Sequence, residues 1–206
     1  MSVETAHELF VEELKDIYSG EKQAIKAYPR LVKAVRSESL RDAMQAHLAE
    51  TQAQLERLEQ IFELLEERPG GKTCNGMKGL LEEAFEHKDE IDPGSVLDAA
   101  MIGALQRVED YEIAAYGTVV AFAEATGQTE ILRLLEATLM EEKQTDEKLS
   151  TVAHEVNEAA IAEAEGGQEE EDGGNDKEGK KEGKAKKSRV IRKPAKPLKK
   201  ATKQSR

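Results

Sequence analysis

Seven residues with metal-ligand chemistry stand in the sequence where a helical apolar stripe asks for leucine. In the first amphipathic stretch the stripe steps through Phe10, Leu14, Ile17, position 21, Ala24 and Tyr28, and position 21 is Glu21. The second stretch steps through Leu40 and Met44 to His47, Glu50 and Gln54 before returning to Leu58. The third carries Glu109 and Glu112 inward with Tyr116, and the fourth carries Glu142 and Asp146 between Leu135 and Leu149. Each stretch thus turns a carboxylate toward one axis near its middle. Unpaired carboxylates in an apolar interior are costly, and several together repel one another unless positive charge lies between them. Divalent cations supply that charge, and carboxylate with imidazole suits iron or manganese. The known template is one Glu from each of two helices and Glu-x-x-His from each of the other two. Here the first half offers Glu21 with His47-x-x-Glu50, and the second offers Glu109-x-x-Glu112 and Glu142, with Asp146 one turn on. Thr145 stands where the template has a second His, which leaves the second half all-oxygen. The competing reading is a metal-free structural bundle whose acids are solvated at helix edges or paired with Lys22, Lys26 or Arg107.

The elements that must position these groups are helices. Apolar residues repeat with helical spacing over about residues 3–35, 39–67, 95–125 and 129–160. Each is roughly 30 residues, or about 45 Å long. A shorter piece, about 77–87, lies between the second and third. Pro69-Gly70-Gly71, Asp92-Pro93-Gly94 and Gly127 punctuate the pattern, and Pro29 falls inside the first helix, where a kink is expected. Short loops make two antiparallel hairpins, and the connection over 68–94 is long enough to cross the bundle and carry the small helix. The expected fold is therefore all-α: a four-helix bundle of two antiparallel hairpins with a long crossover, the ferritin-like arrangement, over residues 1–160. Glu21 to Glu50 and Glu112 to Glu142 are nearly equal steps, as a duplicated hairpin would give.

Composition excludes other classes. Aromatics are 4% and Trp is absent, against an all-β fold. A single cysteine, Cys74, forms neither an internal disulfide nor a Cys-rich zinc site. No phosphate-binding glycine loop and no Gly-x-Ser-x-Gly elbow is present. No apolar run suits a membrane span, and the acidic start is unlike a secretory signal, so a cytoplasmic protein is expected. The net charge of −12 conceals a division: residues 1–160 hold 33 acids and 16 bases, and residues 177–206 hold 14 bases and two acids. Residues 161–206 are expected to be a disordered tail, acidic and then Lys/Ala/Pro-rich. Its basic positions, among them Lys186, Lys187, Arg189, Arg192, Lys193, Lys196, Lys199, Lys200 and Lys203, suit sequence-nonspecific DNA binding, with nucleoid association as the alternative function. No aromatic interleaves them to stack on bases.

Several segments resemble the YciE/YciF family of bacterial ferritin-like proteins. They are Leu14-Lys-Asp-Ile-Tyr-Ser-Gly-Glu-Lys-Gln23, His47-Leu-Ala-Glu-Thr51, Gly71-Lys-Thr-Cys-Asn-Gly-Met77, Val108-Glu-Asp-Tyr-Glu-Ile-Ala-Ala-Tyr-Gly-Thr118 and Glu141-Glu-Lys-Gln-Thr-Asp-Glu-Lys-Leu149. The resemblance spans about residues 4–155. It implies a homodimer, a stress-response setting and a di-metal site of the ferroxidase kind with two iron ions, or manganese. It places Glu21, His47, Glu50, Glu109, Glu112 and Glu142 as ligands, with Asp146 as an extra, and the expected site has Glu50 and Glu142 bridging the two ions. Tyr18, Gln54 and Tyr116 are expected just behind the ligands, and Gln54 stands where related sequences carry His.

Overall fold

In the computed structural model the backbone is described for residues 3–172 and side chains through 163, so the basic positions from Lys186 to Lys203 lie outside the described residues. Among the described residues five helices follow in order: α1 (Ala6–Leu31), α2 (Glu38–Leu64), α3 (Asn75–Glu90), α4 (Ser95–Ala125) and α5 (Thr129–Asp172). Among the described residues there is no strand. The local sequence explains the boundaries. Thr5 caps α1 and forms a capping box with Glu8, and Ser37 caps α2 through the Leu40 amide. Gly127 turns the chain between α4 and α5 at a φ of +69°, which glycine tolerates best. Pro29 falls in the last turn of α1, so the missing amide costs little helix beyond it. The last helix runs on to Asp172, twelve residues past the end expected from its apolar stripe. Alanine and glutamate favour helix without an apolar face, and Glu163 accepts a 2.6 Å hydrogen bond from Ser95 at the start of α4.

α1 pairs with α2 and α4 with α5, each pair antiparallel, and cross-links such as Tyr28 to Glu109 and Arg57 to Glu141 join the hairpins. α3 lies across the outside of α1 and α4. Cys74 caps α3, is buried, and lies with its Sγ 2.9 Å from the Tyr111 hydroxyl, which donates to Asp16. A Cβ at Gly76 would meet the Tyr111 ring at 2.6 Å, so only glycine lets α3 come this close. Burial pushes the Cys74 thiol up, which keeps it protonated and gives it a packing role.

The core is divided in two. One apolar cluster gathers Tyr28, Leu31, Leu40, Met44, Met77, Leu105 and Leu149. The other gathers Phe10, Leu14, Ile17, Leu58, Phe62, Val119 and Leu135. Between them, at mid-height on all four long helices, lies a buried polar layer. A second buried acid secures the far end: Asp98 on α4 accepts the backbone amides of Arg36 and Ser37 at 2.9 and 2.7 Å, tying the α1–α2 turn to α4. Asp98→Ala orphans both amides and is expected to cost about 2–3 kcal/mol in a denaturant titration. A loss under about 0.5 kcal/mol would contradict that role.

Candidate metal centre

The polar layer brings together five of the residues expected from the sequence. Glu21 from α1, His47 from α2, Glu109 and Glu112 from α4 and Glu142 from α5 are all buried. One potential ligand atom from each of His47, Glu109, Glu112 and Glu142 lies within 4.8 Å of the others. Glu21 adjoins this group: the charge of Glu142 acts on it, and its own charge acts on Glu112 and Glu109.

Hydrogen bonding leaves this layer unfinished. Tyr116 donates to Glu21 Oε1 at 2.5 Å and Tyr28 donates to Glu109 Oε1 at 3.1 Å. His47 Nε2 approaches Glu109 Oε1 at 3.3 Å without forming a hydrogen bond. Among the described residues, the buried side-chain atoms with no hydrogen-bond partner are Glu21 Oε2, His47 Nε2, Gln54 Oε1, Glu109 Oε2, Glu112 Oε1 and both oxygens of Glu142. Such orphans are rare in native interiors and call for an explanation. No lysine or arginine completes the layer among the described ion pairs. Arg57 lowers Glu21 from a distance, but its guanidinium is held by Glu141 through both nitrogens. Of the lone cations considered from the sequence, Lys22 lies over the Tyr18 ring and Arg107 reaches Glu83.

Burial raises Glu21, Glu109 and Glu112 well above the ordinary carboxylate range, and mutual repulsion raises them further. Glu142 is raised for the same first reason, partly offset by His47. The donor set fits a divalent cation on two counts: the orphaned atoms are all cation donors, and the groups disfavour their own charge unless one is supplied. Carboxylates with one imidazole suit iron or manganese better than a soft metal.

Two expected ligands are placed elsewhere. Glu50 is 48% exposed and outside the close group; its Oε2 lies 3.8 Å from His47 Nδ1, on the far side of the ring from the cluster. It therefore does not bridge together with Glu142 in this arrangement. Thr51 is the buried residue there, at 1% exposure, with its hydroxyl satisfied by His47 O at 2.8 Å. Asp146 turns outward to α4, where it accepts from Gln106, while Thr145 is buried beside His47. Of the expected supporting residues, Tyr116 bonds a cluster acid. Gln54 is buried, with its Nε2 on Glu141 at 3.2 Å. Tyr18 is not at the cluster: it donates to Glu59 and packs edge-on against Phe62. Tyr28 was not expected here, because its place in an apolar stripe hid a hydroxyl aimed at Glu109. Thr145 was expected only as the absence of a second His.

The family described as a domain of unknown function, DUF892, matches residues 5–162. The curated Protein YciF of Escherichia coli (strain K12) is 42% identical over 154 residues, covering 74% of this chain and 93% of its own. The chain belongs to the DUF892 (YciE/YciF) family. Among solved structures, the E. coli stress protein YciF aligns with a TM-score of 0.73 at 41% identity, covering 76% of this chain and 99% of that one. YcfI from Rhodopseudomonas palustris aligns at 0.70 with 41% identity, covering 73% and 96%. These likenesses agree with the ferritin-like helical arrangement. Among the described residues no helix is long and apolar enough to cross a membrane.

The raised acids give the metal-free protein a signed pH dependence. Their unfolded value is near 4.5 and their folded values lie higher, so the folded state holds protons that the unfolded state has lost. The stability contribution is whole below about 4.5 and is lost as pH rises from there toward the folded values. Thermal melts of the metal-stripped chain are expected to fall between pH 5 and pH 8, and Glu112→Gln is expected to flatten the fall and raise the melting point at pH 8 by a few degrees, at about 2–4 °C per kcal/mol. A melting point that rises steadily across that range would contradict the buried-acid account.

Proposed function

We propose that this member of the DUF892 family is a ferritin-like di-metal carboxylate protein, holding two divalent cations, iron first and manganese second. Glu21, His47, Glu109, Glu112 and Glu142 are the residues that would hold them. The observation that carries the reading is the set of orphaned donor atoms at the centre of the bundle, which no lysine or arginine among the described ion pairs satisfies. When bound, such a pair supplies two-electron exchange with dioxygen or peroxide, one electron per ion. The chain's own contribution is to fix the donors on four rigid helices, to exclude water with apolar clusters above and below, and to steady Glu21 and Glu109 through the Tyr116 and Tyr28 hydroxyls. The setting we infer is a stress response that consumes Fe(II) or peroxide, in keeping with the description of the E. coli relative as a stress protein.

The test is a thermal shift. Anaerobic Fe(II) or Mn(II) at about a hundredfold excess over Kd stabilises the fold by about 2.7 kcal/mol, a rise of about 5–10 °C. A Glu112→Gln/Glu142→Gln variant loses that shift while its metal-free melting point is equal to or above wild type. No shift in the wild type with either metal would sink the proposal.

A second reading attaches to the basic end. The 14 Lys and Arg against two acids in residues 177–206 favour a polyanion partner. Removing those residues is expected to abolish salt-sensitive binding to duplex DNA of mixed sequence. Binding that survives the truncation, or that ignores salt between 50 and 200 mM (roughly the range over which phosphate contacts lose affinity), would refute it.

A further inference from the structure

Thr145 stands three residues after Glu142, at the position where the ferritin-like template puts its second histidine. It is buried, and its hydroxyl lies between two groups: His47 Nδ1 at 3.2 Å and Glu50 Oε2 at 3.4 Å. Glu50 as a carboxylate only accepts, so the single hydroxyl proton of Thr145 is drawn to Glu50. The oxygen of Thr145 then has only lone pairs to offer His47. The ring must therefore present Nδ1–H to Thr145. Its other nitrogen, Nε2, faces Glu109 Oε1 at 3.3 Å and has no hydrogen-bond partner. The competing tautomer would put the proton on Nε2, pointing it at Glu109 and blocking the one nitrogen donor of the cluster.

We propose that Thr145 is a positioning residue that sets the tautomer of His47: its oxygen accepts the Nδ1–H hydrogen bond, its hydroxyl donates to Glu50, and the Nε2 lone pair is left free for a cation. The second hairpin thus gives up its own imidazole and serves the imidazole of the first. Glu50 gains a role that its 48% exposure allows, as the solvent-side end of this relay. Metal-binding histidines commonly donate their distal N–H to such a partner, and loss of the partner weakens metal affinity about 10–100-fold. The relay is unlike that of Thr51, whose hydroxyl is spent on the backbone of its own helix. The metal consequence rests on the di-metal reading above; the position of the ring proton does not.

The test uses the full chain with two readouts. Nitrogen-15 NMR of the metal-free protein at pH 8 locates the His47 ring proton. Calorimetry with Mn(II) gives the affinity. Thr145→Val keeps the shape and removes the hydroxyl; the ring proton is expected to move toward Nε2 and Mn(II) affinity to drop about 10–100-fold. Thr145→Ser is expected to restore both. Glu50→Ala, a change at a half-exposed site, frees the Thr145 proton to donate to Nδ1, and so is expected to shift the ring proton in the same direction. If the ring proton stays on Nδ1 in both Thr145→Val and Glu50→Ala, or Thr145→Ser fails to restore it, the proposal is overturned. A wild type that takes up no Mn(II) overturns the metal reading alone, and the ring proton still decides this one.

Discussion

The structure depends on one constraint: four buried glutamates and a histidine share a layer at the middle of a helical bundle, and no lysine or arginine among the described ion pairs neutralises them. Carboxylates this deep must take up protons, find cations or pull water in. Burial and mutual repulsion push them toward the first of these, which is why Glu21, Glu109 and Glu112 rise so far. A bundle selected only for stability would carry leucine at these positions. The layer is therefore a cost that the two apolar clusters on either side offset, and a bound cation is the simplest state in which it ceases to be one.

The surroundings support that constraint from several directions. Two tyrosines reach in from α1 and α4 with hydroxyls, and each satisfies one oxygen while leaving the other of the same acid open. Arg57, which a lone buried acid would recruit, is occupied by Glu141 instead. α3 closes over α1 and α4 with its glycine at position 76 fitted against Tyr111. At the turn end, Asp98 holds the loop between α1 and α2 to the start of α4. The bundle is thus fastened at its margins, so that its centre can carry groups that do not stabilise it.

The fold was largely legible because apolar spacing, capping residues and glycine or proline breaks all agree on four long helices and one short one. The candidate site was legible to the extent that Glu21, His47, Glu109, Glu112 and Glu142 lie buried where the expected period puts them. The two expected ligands that the structure sets outside the close group share a cause. Two positions seven residues apart on one face can be bridged by steps of three and four in either order. From His47 to Gln54 the helix buries position 51, and between Glu142 and Leu149 it buries position 145. The alternative order selects Glu50 and Asp146, both better metal donors on paper than threonine. Threonine is the residue that tolerates these places, because its hydroxyl bonds to a backbone carbonyl at 51 and to a histidine ring at 145. The extension of α5 past Ala160 was hidden for another reason: residues 161–172 are rich in glutamate, contain Gly166 and Gly167, and carry no apolar stripe to announce a helix.

The most direct measurement is the metal content of the full chain after anaerobic loading with Fe(II) and Mn(II) and removal of free ions, read by mass spectrometry against protein concentration. The account predicts about two ions per chain, as the carboxylate-bridged bundle template holds, and their loss in a Glu21→Ala/Glu142→Ala variant that remains folded. A folded wild type that retains neither metal would contradict it.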